Sequence, residues 1–424
     1  MKKIICFILF ISVIQVSFAQ EPTETIDTLR RDALKVFLDC MFCDEDYVKR
    51  EIPFVNYVRD RKEAQVHLMV TSQRTGSGGR EYTFHFLGQN EFTGMSDTLV
   101  YVSSTDNTWD ETREGQVDLI KLGLVRYVVK TPFAKRISVN FEQAKREELV
   151  EDKWNSWVFR NRLSGYFSGE SSYSSHSVSG SISVSKVTPE WKMDFNVRYN
   201  INGDRFELDD ETLISTRRSK SFRSTIVKSL GEHWSVGGRY GIFSSTYSNY
   251  KLSLNFSPGI EYDIFPYSES TRKQLRILYS VGYRFNNYED TTIYDKTKEG
   301  LLGHNLDIAF EVTQKWGSVE AFLGWNNYFH DWSKNSLSLN TYLNLRIAKG
   351  LSFNLGGGAS MIHNQLSLVK GGASTEEILL RRKQIKTQYY IFTHFSITYT
   401  FGSIYSNVVN PRFGGSGGGM VFYY

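Results

Sequence analysis

The chain has 424 residues, with 50 Lys and Arg against 46 Asp and Glu and a net charge of +4. Without a concentrated basic block, that balance excludes nucleic acid as an expected partner. A mean hydropathy of -0.36 excludes a helical membrane protein, and the aromatic share of 15%, with 25 Tyr and 29 Phe, has to be explained in another way.

The chain opens with Met1-Lys2-Lys3, an apolar stretch over residues 4–16 and the small-residue site Ser17-Phe18-Ala19. This pattern predicts a signal peptide over residues 1–19, cleaved before Gln20, and hence an exported protein. Cys6 lies inside the apolar stretch and not at the cleavage point, so no lipid anchor is expected there. No later run of about 18 apolar residues exists to span a membrane as a helix.

Residues 20–150 predict a small α/β domain. Apolar spacing near 3.6 through Leu29, Ala33, Leu34 and Phe37, and again through Val117, Ile120, Leu122, Leu124 and Val128, predicts two helices. Between them, residues 64–72 and 81–88 read as a hairpin closed by Arg74-Thr75-Gly76-Ser77-Gly78-Gly79. A phosphate cradle would need this glycine-rich turn to lead from a strand into a helix N-terminus, whereas it joins two strands. Cys40 and Cys43 form a Cys-x-x-Cys whose expected role in an oxidising compartment is a structural disulfide. Thiol exchange and half of a zinc site are the other possibilities. A redox role would want a strand before the motif, and what precedes it reads as helix. The acidic neighbours Asp39, Asp44, Glu45 and Asp46 also disfavour a reactive thiolate. No complete metal site and no cofactor are expected.

From Trp154 onward the pattern changes to a period of two. Trp191, Met193, Phe195, Val197, Tyr199 and Ile201 alternate with Lys192, Asp194, Asn196, Arg198, Asn200 and Asn202, so one face is apolar and the other polar. Similar runs give strands near 154–168, 175–187, 191–203, 213–230, 234–247, 251–265, 273–288, 300–314, 317–330, 335–348, 351–366 and 385–402. Residues 210–230 are the weakest of these, because Arg217, Arg218, Lys220, Arg223 and Lys228 leave no clean apolar face. Pro258 falls inside a predicted strand and should mark a bulge or an end.

Runs of about 10 residues with one oily face suit a tilted strand crossing a bilayer. The fold class expected is therefore mainly β: an antiparallel transmembrane β-barrel of about twelve strands over residues 151–403, preceded by the α/β domain and followed by a Gly-rich tail, 404–424. Short turns at 188–190, 231–233, 315–317 and 349–350 alternate with longer loops near 204–211, 288–300 and 369–384. In such a barrel the short turns face the periplasm, which would hold both chain ends and the N-terminal domain. Trp191, Trp234 and Trp316 flank the short turns as an interfacial aromatic belt would.

By these residues the region resembles the Gram-negative outer-membrane β-barrel proteins. The stretch Thr393-His394-Phe395-Ser396-Ile397-Thr398-Tyr399-Thr400-Phe401 looks like the closing-strand signal read by the barrel-assembly machinery of that class, although the chain continues beyond Phe401 to a second short candidate, residues 420–424. The resemblance implies an outer-membrane location, surrounding lipid and the assembly machinery as partners. The N-terminal region resembles the N-terminal domain of TolB and the related part of the curli secretion pore, through a strand–turn–strand followed by a long amphipathic helix. That implies docking of a periplasmic protein.

If the apolar faces meet lipid, Arg198, Arg239, Arg276, Arg284, Arg346, Glu261, Asp263, Asp307, Glu311 and Glu320 line the interior. They would form either a salt-bridged plug or a pathway for small polar solutes. The function expected is passage or export of such solutes, with the N-terminal domain gating or docking; the alternative is a non-conducting anchored protein. An outer-membrane lipid hydrolase is the third possibility. Ser360 and His363 fall on opposite faces of a strand and His394 and Ser396 are too far apart along theirs, so these residues and Asn364 read as polar lining and no enzyme is expected.

Overall fold

The computed structural model describes residues 33–76, 78–138, 152–207, 212–371, 383–403 and 405–407. The expected signal peptide, the first residue of the expected first helix (Leu29) and, of the expected Gly-rich tail 404–424, residues 404 and 408–424 lie outside the described residues.

The N-terminal part is a five-stranded sheet in the order β2-β1-β3-β4-β5 with helices on one side. Its strands are β1 (Lys35–Asp39), β2 (Asn56–Tyr57), β3 (Val66–Arg74), β4 (Arg80–Gly88) and β5 (Ser96–Ser103). β1 runs parallel to β2 and β3, and β3, β4 and β5 are antiparallel. The hairpin of β3 and β4 is the one read from the sequence. The helix expected through Phe37 is instead the strand β1, because a short apolar run covered on both sides fits a buried strand as well as a helix. That also changes the setting of the cysteines: a strand leads into Cys40 and a helix, α1 (Glu45–Glu51), follows Cys43.

The second helix, α2 (Trp109–Val128), starts at a capping box in which Thr108 and Glu111 satisfy each other's backbone N–H groups. Its buried face, Val117, Ile120, Leu124 and Tyr127, packs with Leu68, Val70, Phe84 and Phe86 into the main core. Gly115 and Gly123 bring it close: a Cβ at either would run into the ring of Tyr101 or Phe86. Glycine costs helix propensity here but allows the approach.

Residues 157–399 form one twelve-stranded antiparallel sheet in which each strand pairs with its sequence neighbours. The strands are β6 (Trp157–Gly169), β7 (Tyr173–Val187), β8 (Trp191–Glu207), β9 (Thr212–Ser229), β10 (Trp234–Ser245), β11 (Tyr250–Asp263), β12 (Lys273–Tyr288), β13 (Lys298–Gln314), β14 (Gly317–Tyr328), β15 (Asp331–Ala348), β16 (Leu351–Ile362) and β17 (Tyr389–Tyr399). Side chains facing each other across a ladder share a face, so the register sorts the whole sheet into two. In β15, Ser336, Ser338, Asn340, Tyr342, Asn344 and Arg346 fall on one face and Leu337, Leu339, Leu343, Leu345 and Ile347 on the other.

Four local expectations change. Pro258 neither ends β11 nor shifts its register: Phe256 faces Tyr283 and Gly259 faces Ser280 with the ladder merely open between them. Residues 212–229 form a regular strand, and Lys220 and Lys228 on its apolar side lie over the rings of Tyr199 and Trp191, which lets a cation sit among apolar neighbours. Turn length does not separate the two ends cleanly either. The long connection 264–272 lies at the same end as the short turns 188–190, 315–316 and 349–350, while the short turn 329–330 lies at the opposite end. The loop expected from residue 204 is strand as far as Glu207.

Candidate functional site: the polar face and the domain seated at its end

All ten charged residues expected to line an interior share the polar face. Glu261 faces Leu278 and Leu278 faces Asp307; Glu311 faces Glu320; Asp263 faces Arg276; Arg284 faces Asn255; Arg346 faces Ser352. Arg198 faces Ser181 and Ser221, and Arg239 faces Thr225 and Ser257.

Three ion pairs form across this face among the described residues. Arg217 Nη2 on β9 lies 2.5 Å from Asp204 Oδ2 on β8. Arg276 Nε lies 3.4 Å from Glu261 Oε2 on the adjacent strand. Arg239 Nη1 lies 3.6 Å from Asp307 Oδ2, although β10 and β13 have two strands between them. Strands stand about 4.8 Å apart, so such a contact requires the polar face to be strongly concave. Glu261 also accepts from Tyr267 Oη at 3.0 Å, and Arg284 donates to Tyr328 Oη at 3.4 Å. Asp263 is spent on the turn, where Oδ1 accepts the backbone N–H groups of Phe265 and Leu275.

Residues at the ends of the sequence of strands meet the N-terminal domain. Arg346, at the end of β15, makes a two-pronged bond to Asp39, with Nη1 2.6 Å from Oδ2, and its guanidinium lies 5.1 Å from the centre of the Phe37 ring. His67 holds the same carboxylate, Nε2 to Oδ2 at 2.9 Å. Burial opposes the Asp39 charge, but the bonds from His67 and Arg346 outweigh it and hold the carboxyl at about 2. Beside it Lys349 pairs with Glu63, and the Gly350 N–H donates to Asp60 at 3.1 Å. Farther along, Tyr57 N donates to Asn407 Oδ1 at 2.5 Å and Val58 bridges to Tyr405. On the other flank the β3–β4 turn touches the first strands, Gly76 against Val187 and Gly78 against Arg160. The small domain thus contacts both the β6–β7 and the β15–β17 sides of the large sheet.

The underside of the domain is polar. His67, Thr71, Thr83 and His85 are buried on it, and Thr71 shares a cavity of about 200 Å³ with Glu311, Glu320, Tyr342 and Arg346. Burial lowers the His67 pKa against the pull of Asp39, and burial together with Arg272 on the 264–272 connection lowers that of His85 to about 4. Both rings are therefore neutral near pH 7. A larger cavity of about 410 Å³ on the polar face is lined by Arg276, Glu311, Glu320, Tyr342 and His394. Gly356 lies against the ring of His394, which a Cβ at that position would meet.

At the opposite end the connection after β16 crosses to distant loops. Asn249 Nδ2 donates to the carbonyls of Asp290 at 3.0 Å and Ser367 at 2.9 Å, Ile293 N donates to Leu368 O at 2.8 Å, and Lys370 N to Thr291 O at 2.8 Å.

Cys40 and Cys43 are joined by a disulfide, with Cα atoms 5.6 Å apart. Among the described residues no group of three or more His, Cys, Asp or Glu could hold a metal ion. Ser396 Oγ accepts from Asn354 Nδ2 at 3.2 Å and the Asn364 amide donates to Asn326 at 2.7 Å. His363 lies beyond the end of β16, which ends at Ile362, so the strand-face argument applied to Ser360 and His363 does not hold for it.

The family described as "Protein of unknown function, DUF481" matches residues 165–365. The chain is similar to it over that span, from within β6 to just beyond β16, which contains most of the polar face but neither β17 nor the N-terminal sheet. No curated protein matches the chain.

Sequence reading did not single out Asp39, Asp60 or Glu63 as partners of the large sheet. Their partners lie about 300 positions away, and no local pattern encodes such pairings.

Proposed function

We propose that the twelve-stranded sheet is a closed β-barrel in an outer membrane, that its polar face lines a passage for small polar solutes, and that the N-terminal domain is the gate on its periplasmic end. One observation supports the gate above all: the domain is fastened to the strand ends by Asp39–Arg346, Glu63–Lys349 and Asp60–Gly350, with its other flank against β6 and β7. A domain held at that end by polar bonds covers any opening there and can be released without unfolding the sheet. The wide cavities on the polar face and the mainly apolar opposite face fit an interior and a lipid contact surface.

A second reading, an anchored and non-conducting docking protein, has its own support. The Arg239–Asp307 and Arg276–Glu261 pairs span part of the polar face and would fill a narrow interior. Planar-bilayer recording of the purified full chain separates the two. Steady conductance that rises in the Arg346→Gln, Lys349→Gln variant supports a gated passage. A silent bilayer from both, with heat-modifiable and hence folded protein, sinks it and leaves the docking reading.

A further inference from the structure

On the polar face Arg276, Arg284 and Arg346 lie among the carboxylates of β11 to β14 or beside them, and Arg217 pairs with Asp204, whereas a group of arginines on β6 to β9 has no such partner. On β6 to β9 the register places Arg160, Ser183, Asn196 and Arg223 in one row across four strands, and Arg162, Ser181, Arg198 and Ser221 in the next. The row beyond, toward the loops, is Ser164, Ser179, Asn200 and Ser219, with Asn200 donating to Ser219 at 3.1 Å. On the other side the row of Val158, Ser185, Asp194 and Thr225 holds the one carboxylate that borders the patch among the described residues. The carboxylates Glu261, Asp307, Glu311 and Glu320 stand on β11, β13 and β14.

Arg239 reaches across to Asp307, but Arg160, Arg162, Arg198 and Arg223 make no ion pair among the described residues. Their neighbours on the face are hydroxyls and amides, which neutralise nothing. Rows lie roughly 7 Å apart along a strand and strands about 5 Å apart, so the guanidinium groups fall within reach of one multiply charged anion. Guanidinium offers paired N–H donors in a fork that matches a phosphate or carboxylate edge, and the small serines of β7 leave room in front of it. Arg160, against the β3–β4 turn at Gly78, places the edge of the patch beneath the N-terminal domain.

We infer that this arginine patch is a binding site for small multivalent anions of the phosphate class, and that it makes the passage anion-selective. The selectivity part rests on the barrel reading above; the binding part needs only the concave polar face. A wall of unpaired arginines raises the local anion concentration, and the effect is screened by salt over about 10 Å at 0.1 M.

The test uses the detergent-purified full chain and inorganic pyrophosphate, followed by titration calorimetry at low and high salt. The expected result is saturable, salt-weakened binding that falls at least about tenfold in Arg162→Gln, Arg198→Gln. Arg218→Gln, on the same strand region but the apolar face, leaves it unchanged. Should the double glutamine variant not fold, Arg162→Lys, Arg198→Lys keeps the charge and removes the forks, and a several-fold loss is expected. No binding, or equal binding by all variants, overturns the site. Reversal potentials in a potassium chloride gradient read the selectivity separately: cation preference overturns that part, whereas a silent bilayer with pyrophosphate binding intact overturns conduction and leaves the site standing.

Discussion

Asp39 and Arg346 stand 307 positions apart in the chain and meet in a two-pronged ion pair that His67 completes from the same carboxylate. It joins the end of β1 to the end of β15 and so ties the small sheet to the large one.

Asp39→Asn keeps the shape of the side chain and removes its charge, leaving Arg346 half-buried without its counterion. The small domain should loosen from the sheet while each part stays folded. The Asp39 carboxyl is depressed from its ordinary 3.8 to about 2, which corresponds to about 2 kcal/mol of stability present above pH 4 and lost as pH falls through 2. Limited trypsin digestion at neutral pH should cut between the domains of the variant sooner than in the native chain; an unchanged digestion rate would refute the latch.

The histidines set a milder acid limit. His85 has a folded value lowered to about 4 by burial and by Arg272, so its contribution is complete above about 6.5 and disappears as pH falls toward 4. Charging it also repels Arg272 on the 264–272 connection. Amide exchange in β3 and β4 should therefore accelerate between pH 6.5 and 4, before Asp39 titrates, and the acceleration should be smaller in His85→Gln. Identical pH profiles for the two proteins would show that this histidine plays no part.

Gly123 tests the packing of α2. A methyl group there meets the ring of fully buried Phe86, and overpacking of this kind costs about 1–3 kcal/mol. Gly123→Ala should lower the denaturation midpoint of the N-terminal domain without affecting the heat-modifiable mobility of the large sheet. A gain in stability, as helix propensity alone would give, would mean that the contact relaxes freely.

Ser338 and Leu339 are neighbours on opposite faces of β15, facing Gly324 and Leu323 respectively. Under the barrel reading Leu339→Arg puts a charge against lipid, at a cost of about 2–4 kcal/mol near mid-membrane, and Ser338→Arg puts one in water. Assembly into liposomes, followed by electrophoretic heat-modifiability, should fail for the first and succeed for the second. Equal success would mean that the two faces have been assigned to the wrong solvents.

Removing the Cys40–Cys43 disulfide should cost little. The bridge closes a loop with a sequence separation of 3, for which chain entropy predicts about 2 kcal/mol. Cys40→Ser, Cys43→Ser should thus remain folded, with a modest drop in the urea midpoint of the N-terminal domain.

The sequence by itself determined the twelve strands and their two faces, because a period of two is a local property that each strand carries in its own side chains. Arg198, Arg239 and Glu261 could be assigned a face from alternation alone. The same local view failed at Leu34 and Phe37, where a short apolar run has no period that separates helix from strand. It also misjudged Pro258, whose missing donor a long ladder tolerates. What only the tertiary structure decided are the relations between strands and between sheets: that Arg162 and Arg198 come within reach of one ligand, that Arg239 crosses to Asp307, and that Asp39 finds Arg346. Register and curvature place those groups, and both arise from pairing many strands at once, which no single segment of the chain contains.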